Sequence, residues 1–280
     1  MKLKSRLICL DLDGTLLNDD KIIPKKTLDY LNFLVKNDSF IAIATGRHLD
    51  YAEYLTRKIT RNKFIVSTNG AITFYKPIGI INKVYLDSNL VIKIIECAKD
   101  NNLYPNLYYN PYEFGYDMLV TNKKSINFLA QNIVRDLSRI ANLDKFTAEN
   151  VLSITINSNT EQIELFLKNI ESQLKNSSTY HIMNSSYTDE SLLEIMGLNV
   201  TKWSGIKNII RKLNFDKLEI ISFGDDINDY TMLKNSDISF VMKNSNNDFL
   251  LDRFNKTLYT NNENGVFYEL KRIYDGESIS

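Results

Sequence analysis

Two carboxylates one residue apart, Asp11 and Asp13, close the apolar run Ile8-Cys9-Leu10 and are followed by Gly14. One carboxylate at the end of a buried segment can attack as a nucleophile, and a second beside it can move a proton. Late in the chain another apolar run, Leu218 to Phe223, ends in Gly224-Asp225-Asp226-Ile227-Asn228-Asp229. Thr45-Gly46 and Thr68-Asn69-Gly70 end two further apolar runs. In open α/β sheets ligands bind beyond the carboxyl ends of the strands. Several carboxylates arriving at one such edge would repel one another by about 1 to 4 kcal/mol per close pair. A divalent cation relieves that repulsion, and an all-oxygen ligand set suits Mg²⁺. The plainer alternatives are an ordinary strand-to-turn exit for Asp11 and Asp13, and acids favoured by a helix N-terminus for Asp225 and Asp229.

The elements that must carry these residues follow from periodicity. Arg6 to Leu10 is apolar on both faces, as strands inside a helix-covered parallel sheet are. Pro24 opens a helical pattern with Leu28, Leu31, Leu34 and Val35 on one face, and Phe40 to Ala44 is a second strand. A helix over about 50–58 and a strand from Phe64 to Ser67 continue the alternation. This spacing predicts βαβ units and an α/β, doubly wound, mostly parallel Rossmann-like sheet.

Near residue 84 the rhythm changes. Ser88 to Asp100 reads as a helix, Leu103 to Tyr109 and Tyr116 to Val120 as paired strands, and about 124–141 as helix. Val151 to Ile156 alternates like a half-buried strand, Glu161 to Leu174 is an amphipathic helix, and Tyr180 to Met183 and Leu192 to Met196 are strands. Residues 85–193 are thus expected to form an inserted α+β cap domain within a core made of 1–84 and 194–280. Thr201 is a candidate N-cap for a helix with Ile206, Ile209, Ile210 and Leu213 on one stripe. Strands are expected at Leu218 to Phe223, Ile238 to Met242 and Thr257 to Tyr259, with a short helix through Met232 and Leu233.

Lys+Arg and Asp+Glu are equal at 34 each, which removes any general electrostatic case for nucleic acid or an anionic membrane as partner. No apolar run approaches the roughly 18 residues of a membrane span. The apolar run after Arg6 is too short for a secretory signal, and two cysteines, Cys9 and Cys97, make no disulfide framework, so a cytoplasmic location is expected.

The same residues carry a family resemblance. Asp11-Leu12-Asp13-Gly14-Thr15-Leu16 resembles the first motif of the haloacid dehalogenase superfamily. Its four fixed letters, Asp-x-Asp-Gly-Thr, should arise by chance in only about one chain in several hundred of this length. Thr45 resembles the second motif, Lys202 the third and Gly224 to Asp229 the fourth. Their order, the insert between the second and third, and the strings Thr45-Gly46-Arg47, Asn69-Gly70-Ala71 and Asn264-Gly265-Val266 resemble the Cof-type branch with a type-2 (IIB) cap.

The resemblance implies a Mg²⁺-dependent phosphatase acting on a small phosphorylated metabolite, such as a sugar phosphate or nucleotide-like cofactor, through an aspartyl-phosphate. Asp11 would be the nucleophile and Asp13 the proton-transfer group, a role that fits a pKa raised by neighbouring negative charge. The metal would be held by the Asp11 side chain, the Asp13 backbone carbonyl and Asp225, with Asp229 supporting that shell and Asp226 a further candidate. Thr45, Gly46 and Asn228 would bind phosphate, and Lys202 would offset charge on Asp11 and phosphate. In relatives a glycine often follows the lysine directly, whereas Trp203 and Ser204 precede Gly205 here. The same letters serve phosphotransfer between substrates, as in phosphomutases, or a ligand-binding relative without turnover. His48 and His181 lack partners at metal-ligand spacing. In the tyrosine-dense stretch from Tyr104 to Tyr112, packing within a small cap sheet is one reading, and selection of the leaving group by Tyr109, Tyr112 or Glu113 the other.

Overall fold

In the computed structural model, described for residues 5–121, 140–141, 145–184, 190–214 and 218–276, contacts divide the chain into two compact units. One comprises Met1–Asn82 and Thr201–Ser280, the other Lys83–Val200. The strands in chain order are β1 (Arg6–Leu10), β2 (Ser39–Ala44), β3 (Lys63–Ser67), β4 (Ile72–Tyr75) and β5 (Gly79–Lys83). The middle segment adds β6 (Asn106–Tyr108), β7 (Met118–Val120), β8 (Ile140–Ala141), β9 (Ser153–Asn159), β10 (Ser178–Asn184) and β11 (Glu190–Gly197). β12 (Glu219–Gly224), β13 (Ile238–Val241) and β14 (Asn255–Lys256) complete the set.

The first unit is built on a sheet of order β14-β13-β12-β1-β2-β3-β4-β5. From β14 to β3 every neighbour is parallel, and β4 turns back antiparallel on β3. This is the doubly wound, mostly parallel α/β sheet that the alternating elements imply. β1 lies in its middle with Leu7, Ile8, Cys9 and Leu10 fully buried, which explains why its sequence is apolar on both faces. Its neighbours are β2, which follows it, and β12, which arrives from the far end of the chain. The strand order therefore reverses between β1 and β12, the kind of crevice where such sheets hold ligands.

The second unit has its own sheet, ordered β10-β11-β9-β6-β7-β8, antiparallel from β10 through β7. Leu107, Ile154, Ile156, Leu193 and Ile195 on its strands join one apolar core with the helices Ser88–Asp100 and Thr160–Leu174, which contribute Leu90, Ile94, Ile163 and Phe166.

Several expectations move. The last strand is Asn255–Lys256 rather than Thr257 to Tyr259. Thr257 instead uses its hydroxyl locally, accepting from the Lys243 N–H at 2.9 Å and donating to the Tyr259 carbonyl at 2.7 Å. β4 and β5 occupy a stretch in which the sequence suggests no strand, and a helix at Gly265–Asp275 follows the Asn264-Gly265-Val266 string. The helix expected over about 124–141 lies outside the described residues except for Ile140–Ala141, which form β8.

Candidate active site

Asp11 continues β1 into the crevice, its N–H bonded to the Phe223 carbonyl of β12 at 3.1 Å. The next residues wind into a wide turn, Leu12–Leu16, in which Leu16 N–H reaches Asp11 O at 3.3 Å and Leu17 N–H reaches Leu12 O at 2.8 Å. Such i→i+5 turns cluster at functional sites. Gly14 has φ +73°, and a Cβ there would sit 2.2 Å from Asp225 Oδ2. Only glycine permits that conformation and that approach together. Thr15 then donates its hydroxyl to Asp225 Oδ1 at 2.9 Å, so the first carboxylate turn is latched to the loop after β12.

Lys202 is the first residue of the helix Lys202–Leu213. Thr201 caps it, accepting from Ser204 N–H at 3.1 Å while Ser204 Oγ accepts from Thr201 N–H at 3.0 Å. Ser204 therefore has a task, and the glycine two places later than in many relatives has another. A Cβ on Gly205 would lie 2.3 Å from Val66 Cγ1, so the helix backbone rests directly on β3. Lys202, 1% exposed, places Nζ 2.6 Å from Asp11 Oδ1 and 2.7 Å from Asp229 Oδ1. Trp203 packs on the core with Leu7, Ala42 and Ile206.

Ligand oxygens of Asp11, Asp225 and Asp229 lie within 4.8 Å of one another. Asp229 is already engaged at both oxygens: Oδ2 accepts the N–H groups of Asp225 at 3.0 Å and Asp226 at 3.2 Å, and Oδ1 takes Lys202. Asp226 Oδ1 is occupied by the Ile227 N–H at 2.6 Å. Asp11 and Asp225 are left as the carboxylates that face one another. Burial raises the Asp11 carboxyl to about 7 against the pull of Lys202, with Asp229 adding to the rise. Burial and then Asp11 push Asp225 well above the ordinary carboxylate range. Two carboxylates that resist ionising together, with oxygens converging and one lysine already committed, form a donor set suited to a hard divalent cation.

Asp13 departs from expectation. Neighbouring negative charge does not raise its pKa. Arg47 grips it at both oxygens, Nε to Oδ2 at 2.6 Å and Nη2 to Oδ1 at 2.8 Å, and Lys21 Nζ reaches Oδ1 at 2.9 Å. Although burial works upward, these cations hold Asp13 down to about 2. The repulsion anticipated for Asp13 falls on Asp11 and Asp225 instead.

Thr45, 1% exposed, ends β2 with its Oγ1 accepting from the Arg47 N–H at 3.1 Å, which leaves the hydroxyl proton as its donor. Asn228 donates through Nδ2 to Asn69 Oδ1 at 3.2 Å. A Cβ on Gly46 would lie 3.2 Å from Asn69 Nδ2, so Gly46, Asn69 and Asn228 stand together. Every candidate in the first unit is thereby placed at the carboxyl end of the parallel strands. Arg47 and Asn69 belong beside them with no role assigned from sequence; their signal was adjacency to Thr45 and a positive-φ Asn-Gly exit from β3.

In the second unit Tyr109 is fully buried, its hydroxyl donating to the Thr147 carbonyl at 2.6 Å, so it packs the cap core and is not available to select a leaving group. Glu113 is paired with Lys83 and accepts from Tyr85 at 2.8 Å. The Tyr112 side chain lies outside the described residues. Among the described residues no helix is long and apolar enough to cross a membrane.

Comparison with known proteins agrees with this geometry. The model of the haloacid dehalogenase-like hydrolase family matches residues 8–270. The 5-amino-6-(5-phospho-D-ribitylamino)uracil phosphatase YitU of Bacillus subtilis is 25% identical over 286 residues, covering 98% of this chain and 99% of that one. A crystal structure from Thermotoga maritima superposes with TM-score 0.79 at 23% identity, covering 99% of this chain and 98% of its own. A subclass IIB sugar phosphatase of the same superfamily gives TM-score 0.75 at 21% identity, covering 96% and 99%. These two structures share the fold with this chain.

Proposed function

The chain belongs to the haloacid dehalogenase-like hydrolase family and is a phosphatase, and on that premise we propose that it is a Mg²⁺-dependent phosphomonoesterase working through an aspartyl-phosphate on Asp11. The observation that carries this reading is the position of Lys202, buried between Asp11 and Asp229 with Asp225 alongside. With Asp11 Oδ1 held by Lys202, Oδ2 is the oxygen that would attack phosphorus. Asp11, Asp225 and the Asp13 main-chain carbonyl would hold Mg²⁺, which supplies charge masking for an anion approaching an anion.

Thr45 would donate its hydroxyl proton to the transferring phosphoryl group, with the Gly46 N–H and the Asn228 amide as further donors. Asp13 would take a proton from the water that hydrolyses the acyl-phosphate, and because a carboxylate held down at about 2 is a weak base, even this task requires the grip of Arg47 and Lys21 to loosen. Its earlier task, protonating the leaving alcohol, requires those two cations to loosen and Asp13 to bind a proton.

The substrate we propose is a small phosphorylated sugar or polyol. Support comes from YitU, whose substrate is a phosphoribityl compound, and from the sugar phosphatase of the same fold. The test is release of phosphate from p-nitrophenyl phosphate and from a panel of sugar, polyol and nucleotide monophosphates, with Mg²⁺ and with EDTA. Turnover should require Mg²⁺ and vanish in Asp11→Asn. Undiminished turnover by that variant in EDTA would refute the mechanism, and an isomeric sugar phosphate as product from a sugar monophosphate would indicate transfer instead.

A further inference from the structure

The loop after β13 touches both carboxylate-bearing segments of the site through two consecutive side chains. Asn244 Nδ2 donates to the Gly14 carbonyl at 2.7 Å, inside the turn that follows Asp11. Ser245 Oγ donates to the Asp225 carbonyl at 2.6 Å, in the loop after β12. The other end of the Asn244 amide is also engaged, its Oδ1 accepting the Asn261 N–H at 3.0 Å. Asn261, 5% exposed, donates in turn to the Leu17 carbonyl at 2.9 Å, so the two asparagines hold the Asp11 turn at Gly14 and again at its exit. The loop itself is fixed to the sheet by Met242 N–H on the Gly224 carbonyl at 2.9 Å.

We infer that Asn244 and Ser245 are positioning residues that set the separation of the Asp11 turn from the Asp225 loop, and so the span of the cation site. This rests on the proposed Mg²⁺ site. The plain alternative is that the two side chains only satisfy carbonyls that would otherwise be buried unpaired, as buried carbonyls must be. Their arrangement asks more of them. Asp11 and Asp225 present carboxylates to each other across a crevice whose two walls come from opposite ends of the chain. Facing carboxylates repel once both ionise, as holding a cation requires, and among the described residues the direct side-chain latch between the two walls is Thr15 to Asp225. A rigid strut on both walls keeps the ligand oxygens at cation distance before the cation arrives. Groups that orient metal ligands typically change metal affinity by about 10- to 100-fold when removed.

The experiment is a thermal melt titrated with MgCl₂, followed by phosphatase assays across the same Mg²⁺ range, on the wild type, Asn244→Ala and Ser245→Ala. For the wild type, Mg²⁺ should raise Tm. For Asn244→Ala the Mg²⁺ concentration at which Tm begins to rise should increase by about 10- to 100-fold. Activity at saturating Mg²⁺ should recover more completely than activity at low Mg²⁺. Ser245→Ala should move that onset in the same direction, and it carries the test alone if Asn244→Ala does not fold. A Tm lowered equally at every Mg²⁺ concentration, with an unmoved onset, would mean that the residues serve the fold only and would overturn the inference while leaving the Mg²⁺ site standing. A wild type whose Tm and turnover ignore Mg²⁺ would overturn both.

Discussion

Arg47 meets Asp13 with two prongs of its guanidinium, Nε and Nη2, at 2.6 and 2.8 Å, and lies 4.7 Å over the ring of Tyr51. Paired planar contacts of this kind fix orientation as well as charge. Arg47→Met should therefore release the Asp13 carboxyl from about 2 toward the ordinary carboxylate range near 3.9. Carboxyl-carbon NMR titration of the metal-free protein reads this directly. The sign for stability follows. A carboxyl depressed in the folded state adds stability that is present above its unfolded pKa and is lost as pH falls through the folded value. The wild type should lose that increment between about 4 and 2, and Arg47→Met should show a shallower acid limb there. Arg47→Lys should restore little, since one ammonium cannot span both oxygens.

Asp225→Asn separates the cost of the acidic cluster from its use. Burial first, and then the facing Asp11, hold the Asp225 carboxyl well above its ordinary range, so near neutral pH the fold bears a cost for ionising it or for keeping it protonated that an amide does not carry. The metal-free variant should melt several degrees above the metal-free wild type, a kcal/mol being worth roughly 2 to 4 °C in a chain of this size. Mg²⁺ should then stabilise the wild type and leave the variant unchanged. Differential scanning calorimetry with EDTA or Mg²⁺ gives both comparisons. A variant less stable than the wild type in EDTA would show that the Asp225 carboxyl carries no such cost.

Lys202→Met leaves Asp11 and Asp229 buried without their shared cation. Breaking a buried ion pair from one side costs about 3 to 5 kcal/mol, so chemical denaturation should reveal one of the larger single-site losses in the core. Lys202→Arg should fail to rescue it, because Nζ sits 1% exposed between two oxygens at 2.6 and 2.7 Å and a guanidinium has no room there.

Much of this architecture is legible in the chain because burial writes itself into pattern. β1 is apolar on both faces because it lies mid-sheet, and the helix Ser88–Asp100 shows its period through the apolar residues it buries, Leu90 and Ile94 among them. Asp11 and Asp225 are readable as partners since each ends such a strand. The charge state of Asp13 is not readable, because it depends on where the long side chains of Arg47 and Lys21 fold back. Asn69 is readable as the end of a strand in Thr68-Asn69-Gly70, but its partnership with Asn228 is not, because it depends on the left-handed turn that aims its side chain after β3. β4 escapes notice because Ile72-Thr73-Phe74-Tyr75 is short, and its register comes from pairing with β3.

Gly205 links the sheet to the chemistry through an approach too close to admit a methyl group. A Cβ at this position would come within 2.3 Å of Val66 Cγ1 and 3.3 Å of Thr73 Oγ1, while Thr73 already donates to the Gly205 carbonyl at 3.3 Å. Gly205→Ala should raise intrinsic helix propensity by about 1 kcal/mol, yet overpacking of this kind costs about 1 to 3 kcal/mol, so the net change should be destabilising. The helix can relieve the clash only by lifting off β3, and Lys202, three residues earlier, must move with it. Turnover should therefore fall more than stability alone accounts for. Val66→Ala removes the obstructing methyls, so the double variant Gly205→Ala/Val66→Ala should recover turnover relative to Gly205→Ala. A double-mutant cycle in kcat and in denaturation free energy measures both couplings. Additive effects in that cycle would mean that the helix does not register Lys202 against β3 through this contact.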